Sequence, residues 1–311
     1  MKRIIITGGS GLVGTAIRSI SYKYPEHEFI YISSRDYDLR SMEKTKEMFE
    51  LYKPTYVIHL AACVGGLFKN MCVKVKMLED NMMINLNVVK CSHEYKVQKL
   101  LACLSTCIFP DKTSYPITEE MLHDGPPHTS NDAYAYAKRM LHIQCKAYRD
   151  TYGDNFVCVI PTNVYGPNDN YSLQDGHVIP SLIHQCYIAV QNETPFVVKG
   201  SGKPLRQFIY SEDLAELLMW TLVNYDGELL ILSVPEHHEI SISDVAKIIA
   251  KHMGYKDLII YDEGYSDGQY KKTADNQRLL DHCGNYRFTN IEEGMKKTVE
   301  WFVSNYIESR K

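Results

Sequence analysis

An α/β fold, a doubly wound parallel sheet carrying a smaller discontinuous α/β lobe, is what this chain of 311 residues predicts, and three observations carry that reading. The first half alternates short β-branched runs with longer amphipathic stretches, the pattern of parallel strands covered by helices. A glycine-rich turn follows the first such run, and beyond Gly166-Pro167 the regular alternation gives way to an irregular second half. The length allows a sheet domain with a lobe attached, at roughly 150 residues per domain.

Taken in order, Ile4-Ile5-Ile6 reads as a buried strand entering the glycine turn, with a helix to about Tyr24. Phe29 to Ser33, Tyr56 to Leu60, Lys99 to Leu104 and Phe156 to Ile160 read as the next four strands. Helices are expected around Asp80 to Tyr95 and Asp132 to Tyr152. Before the second of these lies a long stretch with little periodicity, including Cys107-Ile108-Phe109-Pro110, and loops of such length are usually functional. The sheet style returns at Arg206 to Tyr210 and Glu228 to Val234. The expected division is residues 1–165 with 205–235 as a cofactor domain, and 166–204 with 236–311 as a substrate-binding lobe.

An apolar fraction of 45% with 23% charged residues excludes disordered and fibrous classes. The 34 basic and 38 acidic side chains leave a net charge of −4, so no global field favours nucleic acid or an anionic membrane. An anionic ligand must then meet a local basic pocket. Nine cysteines without a CxxC pair or zinc-type histidine spacing suggest neither a disulfide framework nor a metal site, and they fit a reducing compartment. The three isoleucines after Arg3 are too short for a signal-peptide core, and no apolar stretch reaches a membrane span of ~18 residues. The expected location is cytoplasmic.

Gly8, Gly11 and Gly14 sit directly after the first strand and at the start of a helix. That context is what dinucleotide binding requires, because the glycines let backbone amides approach a pyrophosphate at the helix's positive end. The sheet is therefore of the Rossmann type. Cofactor choice turns on the end of the second strand, which reads Ile32-Ser33-Ser34-Arg35. With no carboxylate at the strand end, and Arg35 suited to pair with a 2′-phosphate, NADP(H) is favoured over NAD.

Tyr134 and Lys138 are four residues apart and so share a helical face, while Ser105 ends the fourth strand. An ammonium close to a phenol is expected to draw its pKa down toward neutrality. Tyr134 would then protonate the alkoxide created by hydride transfer, with Ser105 donating a hydrogen bond. Tyr136, two residues from Lys138, points away.

With Val57-Ile58-His59-Leu60-Ala61-Ala62, Ser105-Thr106-Cys107 and Asn163-Val164-Tyr165-Gly166-Pro167, these features resemble the extended short-chain dehydrogenase/reductase superfamily. Within it the chain is similar to the epimerase/reductases of GDP-4-keto-6-deoxy-D-mannose over essentially its whole length. The likeness is densest in Leu104 to Lys112, Asn163 to Pro167, Asp175 to Pro180, Arg206 to Tyr210 and Ser266 to Lys272. The resemblance implies NADPH-dependent 3,5-epimerisation and 4-reduction of that ketosugar to GDP-L-fucose. It also implies a homodimer built on the helices around Asp80 to Tyr95 and Asp132 to Tyr152.

That chemistry needs a base and an acid beside the triad of Ser105, Tyr134 and Lys138, and the resemblance supplies Cys107 and His177. Cys107 lies two residues beyond Ser105, so an extended chain would aim both side chains into one cleft. The thiolate is the expected base and His177 the acid on the opposite face. The resemblance further implies cofactor contacts from Gly8, Gly9, Ser10, Gly11, Leu12, Val13 and Gly14, from Asp38 and Leu39 near the adenine, and from Ala61, Ala62, Leu104, Pro161, Asn163, Val164 and His177. For the GDP-sugar it implies Arg206, Asp267 and Lys272, within a basic group that includes Lys199. Two positions depart from the family pattern, Gln185 where lysine is common and Lys199 where tryptophan is common. Lys199 is read as restoring the charge lacking at Gln185.

Two other readings fit part of the pattern. A nucleotide-sugar 4-epimerase or dehydratase of the same superfamily would keep NAD bound and has no necessary use for Cys107 and His177. A non-catalytic Rossmann-fold binding protein has no need of the triad.

Overall fold

The computed structural model describes residues 1–311 apart from Ser266 and Gly268 and the side chains of Leu67, Phe68 and Lys69. Two positions of the Ser266 to Lys272 motif therefore lie outside the described residues. The first half runs β1 (Lys2–Thr7), α1 (Leu12–Ile20), β2 (His27–Ile32), α2 (Met42–Tyr52), β3 (Tyr56–His59), α3 (Leu67–Cys72), α4 (Lys74–Glu94), β4 (Lys99–Cys103), α5 (Asp132–Tyr152) and β5 (Phe156–Pro161). Then follow β6 (Asn163–Tyr165), α6 (Val178–Asn192), β7 (Val197–Lys199), β8 (Leu205–Arg206), β9 (Phe208–Tyr210), α7 (Ser211–Asn224) and β10 (Leu229–Leu232). The chain ends with β11 (Ile240–Ser241), α8 (Ile242–Met253), β12 (Ile260–Asp262), α9 (Gln277–Cys283) and α10 (Ile291–Ser304).

Six strands form one parallel sheet in the order β10-β5-β4-β3-β1-β2. The isoleucine run of β1 shows why both faces are covered. Ile5 packs with Met48, Val88 and Leu141 from α2, α4 and α5, while Ile4 and Ile6 pack with Ile17 and Leu218 from α1 and α7. Period-two alternation sends successive side chains to opposite faces, and a parallel sheet buries both. A third core joins α6, α8 and α10 through Ile183, Ile249 and Phe302, and includes Tyr165, Phe208 and Tyr210.

Of the stretch 205–235, Leu229–Leu232 lies in the main sheet. Leu205–Arg206 and Phe208–Tyr210 instead pair outside it, with β11 and β6 respectively. The long segment before α5 holds two short 3-10 turns, Thr106–Ile108 and Glu119–His123. No helix among the described residues is long and apolar enough to cross a membrane.

Candidate active site

Strand order reverses between β1 and β3, so the crevice for a ligand opens at the carboxyl ends of these strands. Gly8 follows β1 at φ +70°, and a Cβ there would lie 2.9 Å from the Ala61 nitrogen. A Cβ on Gly9 would stand 2.7 Å from the Tyr31 Cβ, and one on Gly14 2.6 Å from the Gly9 Cα. The first two approaches press the loop onto the end of β3 and onto β2, and the third presses α1 onto the loop. Gly11, by contrast, faces only the Gly8 carbonyl oxygen at 3.2 Å and caps α1, whose first turn has no acidic side chain. The cradle thus offers free amides and an uncompensated helix dipole, which fits the pyrophosphate of a dinucleotide. Ser10 is exposed at its tip, with Leu12 and Val13 half-buried beside it.

Ala61 and Ala62 after β3, Leu104 and Ser105 after β4, Pro161 at the end of β5, and Asn163 and Val164 in β6 come to the same edge of the sheet. At the end of β2 the Asp36 carboxylate turns back to accept from the Ser33 amide at 2.8 Å and its hydroxyl at 2.6 Å. Those bonds hold its pKa below the usual carboxylate range, and Arg35 beside it is exposed at the strand end. The expected adenine pair, Asp38 and Leu39, follows β2. Asp38 forms a two-pronged pair with Arg40 at 2.8 and 2.9 Å, and Leu39 is buried against Met48 and Phe49.

On α5, the Lys138 ammonium is buried and donates to the Cys103 carbonyl at 2.7 Å, where burial pushes its pKa below the ordinary lysine value. It stands 5.9 Å from the centre of the Tyr134 ring. The expectation that Lys138 lowers the Tyr134 pKa is corrected here. Burial, aided by the Cys107, Cys103 and Cys63 thiols, raises the phenol well above its usual value, so Tyr134 keeps its proton for donation. Tyr136 is exposed, as its spacing predicts.

Ser105 caps the turn Thr106–Ile108, its hydroxyl oxygen accepting from the Cys107 amide at 3.5 Å. Cys107 is therefore beside Ser105 through a 3-10 turn and not through extended alternation. Burial pushes its thiol up, against the opposing pull of Lys272, the Ser105 hydroxyl and Lys138. His177 occupies the N-cap of α6, accessible yet crowded enough that desolvation lowers its pKa. The Gly66 amide donates to the Asp175 carbonyl at 2.9 Å, which ties the loop after β3 to the segment leading into His177.

Among the expected substrate residues, Lys272 is in the electrostatic field of Cys107, with Arg206 and Asp111 nearby. Arg206 donates to the Leu205, Gln269 and Tyr270 carbonyls, and Gln269 in turn donates to Asp111 at 2.9 Å. The strap bearing Lys272 is thereby fastened to the loop bearing Cys107. Asp267 gives both oxygens to Ser201, at 2.7 and 2.6 Å, and so shapes the 200–203 turn. Gln185 bonds to Ser181, and the Lys199 ammonium sits 5.0 Å from the Tyr265 ring centre.

Sequence reasoning assigned no role to a buried relay behind the glycine loop. The Thr7 hydroxyl oxygen accepts from the Leu60 and Ala61 amides, so its proton goes to His59 Nδ1 at 2.8 Å. His59 Nε2 then donates to Asn85 Oδ1 at 3.1 Å, and Asn85 Nδ2 reaches the Ala137 carbonyl of α5 at 3.4 Å. Each member lies on a different element, so no local spacing announces it. No cluster of three or more metal-binding side chains occurs among the described residues.

Fold and site together define a nucleotide-binding enzyme of the reductase and epimerase class, and the comparisons agree. Residues 4–231 match the model of the NAD dependent epimerase/dehydratase family. The chain is 51% identical to the GDP-L-fucose synthase of Dictyostelium discoideum, covering all of this chain and 98% of that one. It is 47% identical to the probable GDP-L-fucose synthase of Drosophila melanogaster, over the full length of both. A crystal structure of a GDP-L-fucose synthetase from Naegleria fowleri bound to NADP superposes with a TM-score of 0.95 at 48% identity, covering all of this chain and 95% of that one. The chain belongs to the NAD dependent epimerase/dehydratase family and, within it, to the GDP-L-fucose synthases.

Proposed function

We propose that this protein converts GDP-4-keto-6-deoxy-D-mannose to GDP-L-fucose, by epimerisation at carbons 3 and 5 followed by NADPH-dependent reduction at carbon 4. The observation that carries the reading is a thiol held beside Ser105 in the same cleft as Tyr134 and Lys138. A plain reductase has no use for that thiol.

Ser105 and Tyr134 donate to the carbon-4 oxygen, which stabilises the enolate that forms when an adjacent proton leaves. Cys107 accepts that proton as thiolate: the C–H bond breaks, an S–H bond forms, and the electron pair moves onto the carbonyl oxygen. His177 delivers a proton to the opposite face. Once solvent has taken the proton from Cys107 and returned one to His177, the same step at the second carbon completes the inversion, while Lys138 would orient the ribose of a bound cofactor and Arg35 would hold its 2′-phosphate. NADPH held in the glycine cradle would supply the hydride for carbon 4, and Tyr134 would protonate the resulting alkoxide. Lys272 and Arg206 supply positive charge near the GDP-sugar.

The homodimer belongs to this reading as well. Met83 and Leu86 on α4 and Tyr136, Met140 and Ile143 on α5 are exposed on two helices that pack together, an apolar face suited to a second copy. Nine free cysteines support a cytoplasmic, reducing setting.

The test is to supply the ketosugar with NADPH in deuterated water and follow NADPH absorbance with product isotope content. NADPH loss with deuterium at carbons 3 and 5 is expected. NADPH loss without that label would remove the epimerase half, and label at carbons 3 and 5 with no NADPH loss would remove the reductase half.

A further inference from the structure

Arg139 follows Lys138 on α5, and nothing in the reaction as written above uses it. It is only 7% exposed, and its Nε donates to the Ile108 carbonyl at 2.6 Å. Ile108 is the residue after Cys107 and the last of the turn Thr106–Ile108. The Ser105 hydroxyl holds the start of that turn, and the Ile108 amide donates back to the Ser105 carbonyl at 3.2 Å. Cys107 is thus pinned from both sides, by Ser105 before it and by Arg139 after it.

The guanidinium is also in an unusual setting. The groups that draw on its charge are first the Tyr136 hydroxyl and then Cys107, with no carboxylate among them, while the charges that act most on the thiol itself are those of Lys272 and Lys138. Tyr136 is exposed, its ring centre 5.7 Å away, which leaves Cys107 as the buried neighbour able to become an anion. Arg139 Nη2 is buried without a hydrogen-bond partner. A buried cation normally has a partner charge or a full set of acceptors.

We propose that Arg139 is the positioning residue for Cys107: it locks the turn that carries the thiol onto the helix that carries Tyr134 and Lys138, and it favours the thiolate. The proposal rests on the reading of Cys107 as proton acceptor. The two halves of the reaction then share one rigid mount. During proton abstraction negative charge moves from sulfur to the carbon-4 oxygen, so a thiol displaced relative to Ser105 and Tyr134 loses exchange while hydride delivery continues. A planar guanidinium bonded through Nε fixes direction as well as charge, which a flexible ammonium does not. Lys272 from the strap and Lys138 from α5 also face the thiol, with Tyr134 and Ser105 as its uncharged neighbours.

Deuterium wash-in at carbons 3 and 5, run with NADP⁺ so that no reduction occurs, isolates the exchange. NADPH oxidation on an already epimerised ketone isolates the reduction. Arg139→Gln is expected to slow wash-in about 30-fold relative to reduction. It is also expected to move the alkaline limb of the wash-in pH profile up by about one unit. Arg139→Lys, which keeps the charge without the fork, should leave that limb in place and lose about tenfold in wash-in. Equal losses in both assays, or an unmoved limb in Arg139→Gln, would reduce Arg139 to a packing residue. Should Arg139→Gln fail to fold, unchanged wash-in in Arg139→Lys would overturn the positioning role by itself. Cys107→Ser separates the two claims, since wash-in that survives it removes the underlying reading of Cys107 and not merely the role of Arg139.

Discussion

Tyr134 and Lys138 stand one turn apart on a single helix, whereas Cys107 and His177 reach the cleft from a turn after β4 and from the N-cap of α6. These two elements belong to different cores, the first packing under the sheet and the second in the lobe. The pair proposed for hydride transfer shares one helical face, with Lys138 also anchored on the Cys103 carbonyl. The pair proposed for proton exchange depends on distant contacts, Arg139 to Ile108 on one side and Gly66 to Asp175 on the other. The two activities should therefore respond differently to substitution.

Tyr134→Phe would strike both activities, because the same hydroxyl serves the enolate and the alkoxide. NADPH oxidation should fall by about 10³-fold, within the usual range for a lost general acid, with wash-in falling alongside it. Reduction that survives this change would break the assignment of the α5 pair. Cys107→Ser should separate the activities, lowering wash-in about 100-fold more than reduction of an already epimerised ketone.

The pH profile sharpens the same contrast. Burial raises the Cys107 pKa and lowers that of His177, so at neutral pH the resting pair is thiol and neutral imidazole. The reactive thiolate and imidazolium hold the same number of protons, so their share stays constant between the two pKa values. Wash-in is expected to show a broad plateau, falling in acid as His177 and Cys107 are both protonated and in base as both lose their protons. A narrow optimum near neutrality would mean that another pair carries the proton.

The glycine cradle was legible in the sequence because backbone geometry dictates residue type: only glycine tolerates the approaches of 2.9, 2.7 and 2.6 Å at Gly8, Gly9 and Gly14. Tyr134 and Lys138 were legible because a four-residue spacing survives folding unchanged. Cys107 came from family likeness, and the argument by strand alternation failed because the Ser105 hydroxyl starts a 3-10 turn there. Asp267, Arg206 and Asp38 illustrate a second limit. The family likeness implies ligand contacts for them, and within the chain they hydrogen-bond to Ser201, to backbone carbonyls and to Arg40, partners that no local pattern announces. Arg139 and the relay of Thr7, His59 and Asn85 were silent for the same reason.

That relay provides a stability test on the side of the molecule where long-range contacts support the cofactor loop. His59 is fully buried, and burial lowers its pKa to about 3. Its ordinary value is ~6.5, so between these limits the unfolded chain binds the extra proton and stability falls as pH falls. At pH 5 the expected loss from this residue is about 2 kcal/mol relative to pH 7. Urea unfolding of the protein and of His59→Asn at both pH values measures it: the variant should show a shallower decline by about that amount. Identical slopes would mean that His59 does not titrate on unfolding in this range.

The smallest expected effect concerns the contact proposed for Arg35 with the cofactor's 2′-phosphate. Arg35 and Asp36 are adjacent at the end of β2, and either could have faced the ribose. One Asp36 oxygen is engaged by the Ser33 amide and hydroxyl, while the Arg35 guanidinium is exposed and suited to a 2′-phosphate. Arg35→Ala should raise the KM for NADPH about tenfold, equivalent to ~1.4 kcal/mol, and change that for NADH less than about twofold. The NADPH effect should shrink with added salt, since an exposed charge pair is screened. An unchanged NADPH to NADH ratio would move 2′-phosphate recognition off the β2 end. The glycine cradle would be untouched by that result, because its fit to a pyrophosphate rests on backbone alone.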